Sequence, residues 1–264
     1  MSASTAPHPF AVVTGASSGI GLALATTFAE HGFDVLVTAE DDGVRTVAAE
    51  LDRDGITARA VQADLTTAEG VQALVDAVRA SGRPVDALAL NAGVGQGGAF
   101  VETPIEADLE VIALDVVAPV RLAKALVPEM VARGEGRVLF TASTASLMPG
   151  PYYATYAASK SFVLSFSEAL RHELKDTGVT VTALLPGPTD TAFFERADMT
   201  ETRVGRGPKD EPAKVAAEAF DALMAGRDKI EVHSLKARSQ TAAAAVLPDR
   251  AKAAMHAAFT KPSD

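Results

Sequence analysis

Thr14-Gly15-Ala16-Ser17-Ser18-Gly19-Ile20-Gly21 stands directly behind a short β-rich run, Ala11–Val13, and opens a segment whose apolar residues Ile20, Leu22, Leu24 and Phe28 follow a helical pattern. A strand that turns on glycines into a helix brings backbone N–H groups and the positive end of the helix dipole to one point, which suits a pyrophosphate. The spacing is Gly-x-x-x-Gly-x-Gly rather than the commoner dinucleotide fingerprint. The same residues spell Gly15-x-Ser17-x-Gly19, the pattern of a hydrolase nucleophile elbow. An elbow needs an oxyanion-donating loop from an earlier strand, yet only about ten residues precede this one. A serine hydrolase using Ser17 stands as an alternative reading, as does a tight turn without a ligand.

Outward from this turn, β-rich runs alternate with segments of helical length. Strands are expected near Ala11–Val13, Val35–Thr38, Ala58–Gln62, Ala87–Leu90, Arg137–Thr141, Val179–Leu185 and Ile230–His233. Helices are expected near Ile20–His31, Gly43–Arg53, Ala68–Ala80, Ile105–Arg133, Tyr156–Asp176 and Ala213–Ala225. Gly32, Gly55, Gly82, Gly178 and Gly226 stand where glycines close helices, and Thr66 with Glu69 reads as a capping box. Such alternation implies a doubly wound α/β fold: a seven-stranded, mostly parallel sheet with helices on both faces. No composition shift divides the 264 residues, so a single dinucleotide-binding and catalytic domain over 1–264 is expected. Two segments differ from the rest. Residues 186–212 are rich in Gly, Pro and Thr and read as a mobile substrate lid, and 242–259 read as an Ala-rich helical tail broken at Pro248, packed on the domain or on a second subunit.

Composition narrows the function. The absence of cysteine excludes disulfides, thiolate nucleophiles, Cys-ligated zinc and iron–sulfur clusters. A formal charge of −10 without a basic run argues against nucleic acid or an anionic membrane as partner. Met1–Phe10 lacks the basic and apolar regions of a signal peptide, and Asp115, Pro119, Arg121 and Lys124 interrupt the apolar stretch Val111–Val127, so a cytoplasmic protein is expected. His8, His31, His172, His233 and His256 are scattered without ligand spacing, so ordinary helix-end, surface or core roles and no metal are expected.

Beyond the second strand the chain reads Val37-Thr38-Ala39-Glu40-Asp41-Asp42. In a dinucleotide fold an acid here accepts from the adenosine ribose, whereas a base meets the 2′-phosphate of NADP. A carboxylate such as Glu40 would oppose that phosphate by about 1–3 kcal/mol after screening, so NAD is expected to be preferred over NADP. Arg45, one turn into the next helix, is the competing feature, and the acidic cluster could equally be a solvated loop.

Tyr156 and Lys160 lie four apart at the start of a helical segment and project from one face. A phenol ordinarily titrates near pH ~10, and a neighbouring ammonium favours the phenolate, so the pair can exchange a proton. Ser143 ends the preceding strand, where its hydroxyl could lie beside the phenol at the carboxyl edge of the sheet. With these residues the chain resembles the short-chain dehydrogenase/reductase family over nearly its whole length. The resemblance rests on Thr14-Gly15-x-x-x-Gly19-x-Gly21, Asp64-Leu65, Asn91-Ala92-Gly93, Ser143, Tyr156 and Lys160, and Pro186-Gly187 with Thr189 and Thr191. It implies that Gly15, Ser17, Ser18, Gly19, Ile20 and Gly21 form the cofactor turn, with Asp64 and Leu65 at the adenine. Asn91, Ala92 and Gly93 would support the sheet beside the cofactor, and Pro186, Gly187, Thr189 and Thr191 would hold the carboxamide and open the substrate loop. It further implies hydride transfer between nicotinamide C4 and a carbonyl or alcohol carbon. Tyr156 would pass the proton, Ser143 orient the substrate oxygen, and Lys160 bind the nicotinamide ribose and lower the phenol's pKa.

One position departs from the family. Where it usually has an Asn that steadies a water in a relay to the Lys, this chain offers Asp115. A carboxylate accepts but cannot donate as an amide does, and its charge near Lys160 would offset part of the field on Tyr156. The expectation is a working relay with a higher Tyr156 pKa than an Asn would give, the alternative being a nucleotide-binding regulator with a weakened site. Phe100, Met148, Tyr152, Tyr153, Phe193, Phe194 and Met199 are expected as pocket walls for an uncharged, fairly apolar carbonyl compound, with Arg196, Arg203 and Arg206 leaving an acidic one open. The long helices 105–133 and 156–176 resemble those through which family members pair, which implies a homodimer or homotetramer.

Overall fold

The computed structural model describes residues 8–232 and 248–261. His233 and the first part of the expected tail, 242–247, lie outside the described residues. The chain runs through β1 (Phe10–Thr14), α1 (Gly19–Glu30), β2 (Asp34–Ala39), α2 (Gly43–Leu51), β3 (Ala58–Gln62), α3 (Ala68–Ala80) and β4 (Ala87–Leu90). It continues through α4 (Ile105–Ile112), α5 (Ala118–Arg133), β5 (Gly136–Thr141), α6 (Ala154–Glu173) and β6 (Val179–Pro186). The remainder is α7 (Phe193–Arg196), α8 (Arg203–Arg206), α9 (Pro212–Met224), β7 (Lys229–Val232) and α10 (Asp249–Thr260). The seven strands form one sheet in the order β3-β2-β1-β4-β5-β6-β7, and every pairing is parallel. This is the expected Rossmann-like fold.

Every residue of β1 and of β4 is buried because helices cover both faces. Along β1 the two-residue period sends Val12 to the core under α3, α5 and α6, and Ala11 and Val13 to the core under α1, α2 and α9. The winding reverses between β1 and β4, and that reversal leaves an open crevice at the carboxyl ends of the strands.

Two expectations need correction. The continuous helix over 105–133 is instead α4, a π-helical turn over Ala113–Val117, and α5. Pro119 follows at the start of α5; it has no N–H for the carbonyl of Asp115, and the Ala118 N–H reaches back five residues to Ala113. The expected capping box is also absent, since the cap sits one residue later and Gly70 at the third helical position has no side chain to return the hydrogen bond. Thr67, not Thr66, caps α3, its Oγ1 accepting from the Gly70 N–H at 2.9 Å, while Thr66 Oγ1 donates to Asp64 Oδ1 at 2.6 Å. The nearby carboxylate is the stronger acceptor and takes the first hydroxyl.

Candidate active site

One cleft of about 760 Å³ opens along the carboxyl edge of the sheet. Gly15, Ser17, Ser18, Gly19, Ile20, Gly21, Glu40, Asp64, Leu65, Asn91, Ala92, Gly93, Pro186, Gly187, Thr189 and Thr191 all border it, as do Ser143, Tyr156 and Lys160. Of the residues the sequence nominated for catalysis and cofactor binding, Asp115 alone stands behind the wall, 1% exposed.

The glycine turn is shaped by close approach. Gly15 has φ +67°, and a Cβ there would stand 2.8 Å from the Ala92 Cα. A Cβ at Gly21 would lie 2.0 Å from the Gly15 carbonyl oxygen, so no larger residue fits. Thr14 Oγ1 accepts from both the Asn91 and Ala92 N–H groups at 2.9 Å, and Asn91 Nδ2 donates to the Thr14 carbonyl at 3.1 Å. Thr141 Oγ1 donates to Asn91 Oδ1 at 3.2 Å, so the ends of β1, β4 and β5 are tied together. Ser18, at the N-cap of α1, makes no side-chain cap hydrogen bond, and the first turn of α1 carries no acid. The helix therefore keeps its amino-terminal N–H groups for an anion, and the cradle fits a dinucleotide pyrophosphate.

After β2 the acids that border the cleft divide. The Glu40 carbonyl accepts from Gln62 Nε2 at 2.9 Å. Asp41, which the sequence reading did not single out, faces the glycine turn: its Oδ2 accepts from Ser17 Oγ at 2.6 Å and its Oδ1 from the Gly43 N–H at 2.9 Å. Arg45 is engaged by Asp42 at 3.0 Å and Gln62 at 3.1 Å, and does not border the cleft. Ser17 is thus paired with a carboxylate, and among the described residues no histidine hydrogen-bonds to it as a hydrolase would require.

Ser143 follows β5 and opens a 3₁₀ turn, Thr144–Leu147, its Oγ accepting from the Ala145 N–H at 3.1 Å, and its hydroxyl lies on the Tyr156 side of the cleft, where it acts on the phenol's pKa. Tyr156 and Lys160 come from the first turns of α6, with Lys160 Nζ 5.7 Å from the Tyr156 ring centre. Lys160 Nζ donates to Asp115 Oδ2 at 3.1 Å and to the Thr141 carbonyl at 3.3 Å, which leaves one N–H of three uncommitted. Asp115 also accepts from the Val94 N–H at 2.9 Å and from Ser159 Oγ at 3.2 Å, the donor set of a carboxylate. The sequence reading foresaw a charge near Lys160; the structure makes it a direct ion pair. Gly93 is the lid on this pair, since a Cβ there would stand 2.8 Å from Lys160 Nζ and 3.0 Å from Asp115 Oδ1.

Burial pushes the Tyr156 phenol above its ordinary range. The Lys160 ammonium pulls it back, Asp115 pushes it further up, and the Ser143 hydroxyl lowers it, with the balance upward. Burial opposes the Lys160 charge most strongly, but the Asp115 carboxylate, through its charge and its hydrogen bond, and Tyr156 together outweigh that and hold the ammonium above its usual pKa. The expected lowering of the Tyr156 pKa is therefore real as a Lys160 effect and is outweighed by burial and Asp115.

In the other half of the cleft, Met148, Tyr153, Phe193, Phe194 and Met199 form walls as expected. Phe100 and Tyr152 do not: Phe100 is 67% exposed, and its loop is tied to the separate loop carrying Tyr152 by a Gly98 N–H to Tyr152 carbonyl hydrogen bond of 2.8 Å. Of the three arginines only Arg196 borders the cleft; Arg203 lies over the Phe259 ring at 5.5 Å and Arg206 pairs with Glu201. The segment 186–212 is clasped at its base, where the Asp190 N–H donates to the Asp210 carbonyl at 2.9 Å and the Asp210 N–H to the Pro188 carbonyl at 2.8 Å.

The outer wall comes from α10, which follows Pro248, and contributes Met255, His256 and Phe259. His256, read from sequence as an ordinary histidine, places Nδ1 2.9 Å from the Pro149 carbonyl and Nε2 2.5 Å from Tyr153 Oη. Thr260 Oγ1 donates to the Pro151 carbonyl at 2.8 Å. The sequence does carry a signal for this wall: Met255, His256, Phe259 and Thr260 make a helical stripe in an otherwise Ala-rich stretch.

Comparison with known proteins agrees with this geometry. Residues 9–202 match the sequence model of the short chain dehydrogenase family. The 1-deoxy-11-beta-hydroxypentalenate dehydrogenase of Streptomyces exfoliatus is 38% identical over 229 residues, 85% of this chain and 82% of that protein. Among solved structures, a short-chain dehydrogenase from Sphingobium yanoikuyae in complex with NADPH is 32% identical, with TM-score 0.80 over 89% of this chain and 93% of that one. A short-chain dehydrogenase/reductase from Burkholderia phymatum in complex with NAD is 27% identical, with TM-score 0.83 over 89% and 92%.

Proposed function

This chain belongs to the short-chain dehydrogenase family and is an NAD(P)-dependent oxidoreductase interconverting a carbonyl and an alcohol, and from that premise we propose that Tyr156 carries the proton, that NAD is the preferred cofactor, and that the substrate is an uncharged, fairly apolar carbonyl compound. The observation that carries the assignment is the meeting of Ser143, Tyr156 and Lys160 in one cleft with the uncapped amino end of α1. When bound, the nicotinamide supplies or takes the hydride. The chain's residues do the rest. The glycine turn and α1 hold the pyrophosphate, Asp64 and Leu65 meet the adenine, and Pro186, Gly187, Thr189 and Thr191 hold the carboxamide end. The third N–H of Lys160 is free for the nicotinamide ribose. Tyr156, its pKa raised by burial, keeps its proton at neutral pH and donates it to the substrate oxygen, which Ser143 orients. The Lys160 ammonium then stabilises the phenolate, and Asp115 holds Lys160 in place. Residues 186–212 act as the substrate lid.

The preference for NAD is supported by two carboxylates, Glu40 and Asp41, at the adenosine end and by the engagement of Arg45 elsewhere. Titration with NADH and separately with NADPH, following nicotinamide emission because the chain has no Trp, is expected to give NADH about 5- to 150-fold tighter binding. Tighter NADPH binding overturns the cofactor assignment and leaves the enzyme class standing.

The chain is also proposed to pair with a second copy. Ile105, Leu109 and Ile112 on α4 and Phe162 on α6 are 41–58% exposed, an apolar face on two neighbouring helices. Light scattering at micromolar concentration is expected to give a dimer or tetramer, and the Phe162→Glu variant a smaller species. A monomeric wild-type chain removes this proposal.

A further inference from the structure

The polarity of the wall opposite Tyr156 can be worked out atom by atom. The Pro149 carbonyl, 2.9 Å from His256 Nδ1, can only accept, so Nδ1 carries hydrogen. Burial pulls the His256 pKa below its ordinary value, although the Pro149 hydrogen bond opposes this, so the imidazole is neutral and holds one N–H. Nε2 is then a bare lone pair, and the phenol 2.5 Å from it must be the donor. Burial raises the Tyr153 pKa, so that proton stays on the phenol. With its one hydrogen given to His256, Tyr153 Oη offers the cleft lone pairs alone. The Tyr153 ring stacks on that of Tyr156, centres 5.7 Å apart and planes 25° from parallel. The same cleft is further lined by the apolar Met255, Phe259 and Phe193 and by Arg196, which can only donate.

We propose that Tyr153 and His256 form a specificity-determining acceptor that favours substrates carrying a second group able to donate, an O–H or N–H a few bonds from the reacting carbonyl, over those carrying an ether, ester or carboxylate there. This rests on the carbonyl-reductase reading above and gives it a substrate class: hydroxy or amino ketones rather than their capped counterparts. A buried acceptor discriminates strongly, because an ether oxygen placed against it leaves two acceptors facing each other.

The activity test compares kcat/KM for a β-hydroxy ketone and for its methyl ether, with NADH at about pH 8, above the imidazole range. The wild-type protein is expected to favour the hydroxy ketone by roughly 10- to 100-fold. In the Tyr153→Phe variant the ratio is expected to fall to within about threefold of unity, and in His256→Phe, where the phenol regains a hydrogen to donate, the ether is expected to gain most. A purely structural role for Tyr153 would depress both substrates alike and leave the ratio unchanged, and that result overturns the proposal. A second readout needs no turnover: long-range ¹H–¹⁵N spectra of the wild-type imidazoles, with the His256 signals identified by their loss in His256→Asn. These are expected to show hydrogen on Nδ1, and hydrogen on Nε2 overturns the acceptor assignment. Turnover of neither ketone, with the Nδ1–H form observed, counts against the carbonyl-reductase reading and leaves the polarity of the pair intact.

Discussion

Replacing Tyr156 by Phe is expected to lower kcat by about 10²- to 10⁴-fold while leaving NADH affinity within a few-fold of the parent protein. The substitution removes one oxygen and keeps the ring that packs against Tyr153 and Phe193. The glycine turn is untouched, and Lys160 keeps Asp115 and the Thr141 carbonyl as partners. Loss therefore concentrates in the step that moves a proton. Steady-state kinetics and fluorescence titration on the same preparation separate the two quantities. Unchanged turnover removes Tyr156 from the chemistry, and an equal collapse of binding and turnover assigns it to cofactor retention.

Replacing Asp115 by Ala is expected to cost about 3–5 kcal/mol of stability, because it strands a buried ammonium and frees the Val94 N–H, while the Ser159 hydroxyl keeps the Tyr156 carbonyl as acceptor. For a chain of this size that corresponds to a drop in Tm of about 6–20 °C by calorimetry. Release of the Lys160 proton limits the loss, so it should grow as pH falls and the ammonium is enforced. Asp115→Asn keeps the shape and removes only the charge that raises the Tyr156 pKa. Reduction needs the protonated phenol and fails as pH rises through that pKa, so its alkaline limb moves to lower pH in Asp115→Asn. Oxidation needs the phenolate, and its rise with pH moves the same way. An unmoved pH–rate profile shows that Asp115 does not act on the phenol.

The legible parts of this protein are those determined by neighbours in sequence. β1, β4 and β5 are short apolar runs, and Gly15, Gly19 and Gly21 announce a turn that admits no side chain, so sheet, crevice and cofactor cradle follow from local pattern. Tyr156 and Lys160 are legible for the same reason, one helical turn apart. Other features depend on competition or distance. The π turn holding Asp115 arises where Pro119 takes a donor out of the helix ladder, which apolar periodicity does not register. Glu40 and Asp41 are adjacent in sequence, and only the path of the loop decides that Asp41 meets Ser17. His256 lies 103 residues beyond Tyr153, and no local pattern pairs the two.

That separation bears on the order in which the protein matures during synthesis. The cofactor cradle is complete in chain order once β6 and the Thr189–Thr191 segment have emerged, whereas the outer wall waits for α10. A nascent chain that has formed β1–β6 already has a place for a dinucleotide, and a ligand that binds it stabilises the sheet by mass action before the wall arrives. Among the described elements, the outer wall of the substrate compartment is thus the latest in chain order. α10 is held there by hydrogen bonds to Tyr153 and to the 149–151 backbone and by packing on α8, where Arg203 lies over Phe259.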